Sequence, residues 1–204
     1  MADIEVINWW KKKHLYSGSC AFKTNDGGLE MWKSMNIQKF LFSNINVLEI
    51  GVGLGKDIIE LNNLGINVYA LDICEEAIEV VRNVVKGYWL HTALEGVLPS
   101  DFFDVGISHL VAQHMNDNDL RYQLKNVIRS LKLTGRLAIQ YAQAKVENSV
   151  AQVDMLGAEM MGGVLRTINE MAVLVENSGG CILQDTEIQK GPDWTWRCIH
   201  IGRK

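Results

Sequence analysis

Three glycines within five positions constrain this chain more than any other feature. Gly51, Gly53 and Gly55 follow the run Asn46 to Ile50 (NVLEI) and precede Lys56 to Leu64, where Ile58, Ile59, Leu61 and Leu64 recur at helical spacing. A strand that passes through glycines into a helix uses backbone conformations that residues with a Cβ resist. It also lets a ligand approach the backbone closely, near the positive end of the helix. Asp72 closes a second apolar run, Val68 to Leu71, and a carboxylate there can accept hydrogen bonds from both ribose hydroxyls of a nucleoside.

The loop departs from the dinucleotide fingerprint G-x-G-x-x-G. Its third glycine comes one residue early, and Lys56 stands where the fingerprint has glycine. Glu49, two residues before Gly51, would repel a pyrophosphate and welcome a positively charged amino group. A nicotinamide-dependent oxidoreductase is therefore disfavoured.

The pattern around this loop predicts an α/β fold. Glu75 to Val85 reads as a helix, with Ile78, Val81 and Val85 on one face and Glu75 and Glu76 near its positive end. Trp89 to Leu94 reads as a weak third strand and Phe103 to Ser108 as a fourth. Asp117 to Leu131 reads as a helix, and Gly135 as a sharp turn before a strand from Arg136 to Tyr141. Strands alternating with helices imply parallel βαβ units, and right-handed crossovers place helices on both faces. Met155 to Glu176 then reads as one long helix closed by a left-handed cap at Gly179-Gly180. Cys181 to Ile188 and Trp194 to Ile201 follow as an antiparallel pair. The expected fold is a Rossmann-like, doubly wound, mostly parallel sheet with a C-terminal antiparallel hairpin. The 204 residues suit one domain in three parts: an N-terminal helical cap (1–45), a core (46–142), and a helix with a terminal hairpin (143–204).

Charge and cysteines narrow the class. A net charge of −4 and a single short basic run, Lys11 to Lys13, argue against nucleic acid as a partner. Cys20, Cys74, Cys181 and Cys198 are scattered, which suits free thiols in a reducing compartment. The start of the chain lacks the basic region of a signal peptide, and no apolar run reaches membrane-spanning length. A cytoplasmic protein with no membrane partner is expected. His14, His91, His109, His114 and His200 show no metal-ligand spacing, so no metal is expected.

On these residues a family resemblance stands. VLEIGVGLGKD (Val47 to Asp57) resembles motif I of the class I S-adenosylmethionine-dependent methyltransferases. LDICEEAIEVV (Leu71 to Val81), LPSDFFDVGISHLVAQHM (Leu98 to Met115) and SLKLTGRLAIQ (Ser130 to Gln140) are similar to the segments that follow in that family, in the same order. The resemblance spans about residues 46–142 and implies the class I methyltransferase fold, with S-adenosylmethionine as cofactor and S-adenosylhomocysteine as product. It further implies that Glu49, Gly51, Gly53 and Gly55 line the methionine part, that Asp72 holds the ribose and that Ile73 packs on the adenine. Leu94 would contribute backbone groups, in a stretch where the family often has an acid. Ser108 and His109 would sit beyond the fourth strand, near the sulfonium.

Catalysis of this kind needs alignment, exclusion of water and sometimes proton removal. His109, and after it His114, are the candidate bases, each weighed against a purely structural role. Tyr16 and Trp194 are candidates to wall the substrate, against the simpler reading of aromatic packing; the same choice applies to Trp9, Trp10 and Trp32. The expected activity is methyl transfer to oxygen or nitrogen of a small molecule, a sugar or other hydroxylated metabolite foremost. The competing expectation is a non-catalytic protein that binds the cofactor and keeps the fold. Oligomeric state leaves no mark in the sequence.

Overall fold

A computed structural model describes residue 8 and residues 28–90, 98–144, 152–153, 163–191 and 194–204. The chain forms two compact units, 1–97 and 98–204. Tyr16, Trp9, Trp10, Leu94 and the whole Met155–Met161 segment lie outside the described residues.

In the first unit, helix α1 (Leu29–Ser34) buries Met31 and Trp32, and Met35 and Ile37 follow them into the core. Trp32 is therefore a packing residue. Strand β1 (Asn46–Ile50) is the predicted one, with Val47, Leu48, Glu49 and Ile50 all enclosed. Burial of four successive positions is what a parallel strand covered on both faces requires. β2 (Asn67–Asp72) pairs with β1 in parallel, Ile50 opposite Leu71, and β3 (Gly87–Leu90) pairs with β2, Leu90 opposite Asp72. β3 starts two residues before the predicted Trp89.

Helix α2 (Lys56–Asn63) sends only Ile58 and Leu61 inward; Ile59 and Leu64 are exposed, against expectation. Two inward positions suffice for a helix barely two turns long. Helix α3 (Glu75–Val81) ends one turn before the predicted Val85. The Lys86 N–H donates to the Val68 carbonyl, so the chain has already turned to enter β3.

The second unit holds β4 (Phe103–Ser108), a 3₁₀ turn (Ala112–His114), helix α4 (Asp117–Ser130) and β5 (Leu131–Ala144). Asn116 caps α4 by accepting the Asp119 N–H, and Leu120, Leu124, Val127 and Ile128 form its buried stripe. Gly135 does not precede β5 but lies within it. Between the pairs Phe103–Leu131 and Val105–Arg136, β5 carries the extra residues of a bulge. A Cβ on Gly135 would meet the Phe103 carbonyl oxygen at 2.8 Å, so only glycine closes it without a shift.

Of the predicted helix Met155–Glu176, residues 155–162 lie outside the described residues, and the stretch from Gly163 to Thr167 is not helical. Gln152–Val153 (β6) and Gly163–Val164 (β7) pair as a small antiparallel ribbon, and helix α5 is only Ile168–Asn177. Thr167 accepts the Glu170 N–H while the Glu170 carboxylate accepts the Thr167 N–H, a capping box that fixes the start. Gly179, at φ +83°, is the expected left-handed residue after the helix. β8 (Gly180–Lys190) and β9 (Trp194–Arg203) form the expected antiparallel hairpin, with β9 antiparallel to β5. β8 therefore runs in the direction of β5. The strand order is β3-β2-β1 in the first unit and β4-β5-β9-β8 in the second. The parallel strands followed by a terminal antiparallel pair are the architecture expected from the sequence. No helix among the described residues is long and apolar enough to cross a membrane.

Candidate functional site

The parallel register brings the cofactor candidates of the first unit together. Because Ile50 lies opposite Leu71, the glycine loop leaves β1 beside the end of β2, and the Gly51 N–H donates to the Leu71 carbonyl at 2.8 Å. Gly51, Gly53 and Gly55 have φ values of +74°, +51° and +73°, so each occupies the left-handed region that disfavours a side chain. They differ in what surrounds them. A Cβ on Gly55 would lie 2.4 Å from Val81 Cγ1, whereas one on Gly53 would meet nothing within 4 Å. Gly55 thus lets α3 pack against the loop, and Gly53 presents bare backbone to open space. Asp72 is 8% exposed, and its Oδ1 accepts the Cys74 N–H at 2.8 Å, which orients the carboxylate at the strand end. Ile73, next in line, is half-buried.

Glu49 is the anomaly of this region. It is 2% exposed and its Oε2 has no hydrogen-bond partner. Burial pushes its carboxyl well above the usual carboxylate range, and the nearby Asp57 adds to the effect. Asp57 is itself raised, by burial first; the Gly28 N–H and Lys56 act in the opposite direction and Glu60 with it. Two crowded carboxyl groups with little positive charge between them suit a cationic ligand.

The ligand-free protein should therefore be limited by Glu49. A folded-state pKa above the unfolded one means that the folded state holds the proton more tightly. Stability is then greatest below the unfolded pKa and falls as pH rises through the folded pKa. Glu49→Gln removes the buried charge, and thermal unfolding at pH 7.5 should show stabilisation by about 1–3 kcal/mol, shrinking towards pH 4. A variant less stable than the parent at pH 7.5 would contradict this account of Glu49.

In the second unit, Ser108 ends β4 fully buried, with no partner for Oγ. His109 follows, half-buried, and Leu110 then takes φ +56°. This turn is held by Gln140 of β5, whose Oε1 accepts the Leu110 N–H at 3.1 Å. His114 ends the 3₁₀ turn. Burial lowers its pKa to about 4, so the ring is neutral at pH 7. The Gln113 side-chain amide lies 3.3 Å from His114 Nε2. Trp194 pairs with Ala144 at the end of β5 and packs, with Trp196, against Ala142, Ala144 and Leu165. The packing reading of Trp194 thus has direct support.

Gln140 and Arg166 escaped the reading of the sequence. A polar residue inside the apolar strand run Leu137 to Ala142 was a usable signal for Gln140. Arg166 was hidden inside the overlong helix, although Thr167-x-x-Glu170 marked the true start.

Comparison with known proteins follows the geometry. Residues 48–139 match a family model described as a methyltransferase domain. A search of the curated proteins gives no match. Among solved structures, the fold resembles a Burkholderia thailandensis 1,6-didemethyltoxoflavin-N1-methyltransferase with bound 1,6-didemethyltoxoflavin and S-adenosylhomocysteine (TM-score 0.71, 14% identity, 98% of this chain and 88% of that one). It also resembles an S-adenosylmethionine-dependent methyltransferase from Methanosarcina mazei (0.65, 17%, 82% and 96%). A third is geranyl diphosphate C-methyltransferase of Streptomyces coelicolor, complexed with Mg2+, geranyl diphosphate and S-adenosylhomocysteine (0.68, 11%, 86% and 80%). The loop, the acid closing β2, the strand arrangement and the domain match agree: residues 48–139 match a methyltransferase domain, and the fold is that of the class I methyltransferases.

Proposed function

We propose that this protein transfers the methyl group of S-adenosylmethionine to an oxygen or nitrogen of a small hydroxylated metabolite, of which a sugar is the leading example. One observation carries the reading: a buried Glu49 carboxylate whose Oε2 has no partner stands at the mouth of a loop of left-handed glycines, one strand from Asp72. That donor set fits the cofactor. Glu49 and the bare backbone of Gly51 and Gly53 would take the ammonium and carboxylate of the methionine part. Asp72 would take the ribose hydroxyls, and the half-buried Ile73 an adenine face. When bound, the cofactor supplies a methyl group already activated on a sulfonium.

The protein's own work is then to position the acceptor, exclude water and remove a proton where the acceptor requires it. His109 is the proposed base. His114 suits that role less, because a ring with its pKa near 4 and its Nε2 engaged by Gln113 takes up a proton poorly at pH 7. Ser108 is proposed as a further contact. The net charge of −4 favours a small molecule over nucleic acid.

Calorimetric titration with S-adenosylhomocysteine, with NAD as control, tests the cofactor. Binding in the micromolar range, about −8 kcal/mol, with no NAD signal is expected. Binding of neither, once carried-over ligand has been checked by mass spectrometry, would overturn the reading. Binding without transfer to any acceptor in a labelled-methyl screen would instead favour a non-catalytic cofactor-binding protein. With an acceptor in hand, His109→Ala should lower turnover by about 10²-fold or more; a loss of only a few-fold would remove His109 as the base.

A further inference from the structure

Arg166 is enclosed to 2% exposure in a place where the sequence gives no reason for a buried cation. Its backbone is tied to the end of β5: its N–H donates to the Ala142 carbonyl at 3.0 Å, and its carbonyl accepts the Ala144 N–H at 3.1 Å. From that anchor the guanidinium reaches away from the strand. Nη1 donates to the Ala112 carbonyl at 3.0 Å, Nη2 to the Met115 carbonyl at 2.5 Å, and Nε to Asp117 Oδ1 at 2.9 Å. These three acceptors bracket Gln113 and His114, two residues before the ring, one after it, and at the first position of α4.

The fork geometry of guanidinium is what makes this possible. Five N–H donors in a fixed plane can satisfy several acceptors at once, which an ammonium on a flexible stem cannot do with the same geometry. The turn needs such a clamp. It is a single 3₁₀ turn, whose own backbone bonds are His114 N–H to the Val111 carbonyl at 2.9 Å and Met115 N–H to the Ala112 carbonyl at 3.3 Å, and its N-cap residue provides no side-chain bond. Gln113 is 3% exposed and depends on the turn for its orientation, because its amide is spent on His114 and its Oε1 has no partner.

We infer that Arg166 is a positioning residue, which clamps the turn after β4 from the end of β5 and so fixes how Gln113 and His114 are presented to the acceptor. The consequence for the acceptor rests on the methyl-transfer reading; the clamp itself does not. Burial of the His114 ring is the reporter, since a loosened turn would admit water to an imidazole now held neutral by its surroundings.

The test uses Arg166→Lys and Arg166→Met in the full chain. Imidazole signals of His114 are followed by nitrogen-15 NMR from pH 7 to pH 4.5, and amide exchange is measured over residues 112–117. The parent should keep His114 neutral at pH 5.5. Both variants should shift its midpoint upward by about one unit or more towards the ordinary histidine value, with faster exchange in the turn and Lys the milder of the two. S-adenosylhomocysteine affinity should stay within about twofold of the parent. A folded variant with unchanged His114 titration and unchanged exchange would overturn the inference. Failure of both variants to fold would overturn it as well, since Arg166 would then support the whole unit and not the turn. Loss of S-adenosylhomocysteine binding by the parent strikes the functional reading alone, because His114 titration reports the clamp whether or not a methyl group moves.

Discussion

Asp72→Ala should weaken S-adenosylhomocysteine binding by about 100-fold. A carboxylate that accepts two ribose hydroxyls makes two hydrogen bonds to a charged group, each worth about 1.5–3 kcal/mol; at the low end their sum is about 3 kcal/mol, or roughly two decades in Kd. The carboxylate is only 8% exposed and is oriented by the Cys74 N–H, so little rearrangement is needed on binding. That same N–H loses its acceptor in the alanine variant, at a cost of about 1 kcal/mol in stability. Asp72→Asn separates the two effects, because an amide oxygen can still accept from Cys74 while the charge towards the ribose is gone. Calorimetry on both variants, with thermal unfolding alongside, gives the answer. Unchanged affinity in Asp72→Ala would sink the cofactor assignment whatever the fold resembles.

Gly53→Ala and Gly55→Ala should fail in opposite ways. Both residues have positive φ, so a Cβ costs about 1–2 kcal/mol at either one. At Gly53 that is the whole structural cost, because the added methyl meets nothing within 4 Å. The variant should remain folded with a modest fall in Tm, yet bind S-adenosylhomocysteine at least about tenfold more weakly, because a methyl stands where a ligand would touch backbone. At Gly55 the methyl would lie 2.4 Å from Val81 Cγ1, and Val81 is almost fully buried. Overpacking adds about 1–3 kcal/mol, so chemical denaturation should show a loss of about 2–5 kcal/mol for the two terms together. Trimming the neighbour should recover part of it: Gly55→Ala with Val81→Ala should be more stable than the sum of the single effects. A Gly53→Ala protein with full affinity would show that the open side of that glycine is not where the cofactor approaches.

These experiments bear on a distinction that the letters alone did not draw. Gly51, Gly53 and Gly55 look alike in sequence, and all three adopt left-handed backbone as their spacing implied. Which one spares room for α3 and which one faces open space depends on Val81, twenty-six positions beyond Gly55 and brought back only by the crossover of the first βαβ unit.

Much of the architecture was legible because local and tertiary preferences agree. β1 and β4 were read to the residue, and α4 to within one, since long periodic or continuously apolar segments carry their own boundaries. The reading failed where that agreement lapses. Apolar residues from Met155 onward mimic a helical stripe, but Gly163 and Val164 pair with Gln152 and Val153 as a ribbon, and Arg166 lies along the end of β5, where it finds backbone partners that a helix would have denied it. Ile59 and Leu64 match helical spacing yet face solvent, because α2 has only one face covered.

The sequence by itself determined the alternation of strands and helices through β5, the glycine loop, the acid that closes β2 and the resemblance these carry, because each rests on backbone conformation or residue chemistry within a short span. Only the tertiary structure decided that Glu49 is buried with its Oε2 unpartnered, that Gln140 holds the turn after β4, and that Arg166 clamps the peptide around His114. Those facts depend on burial and on hydrogen bonds between residues tens of positions apart, and burial, unlike propensity, is a property of what surrounds a residue and not of its neighbours in the chain.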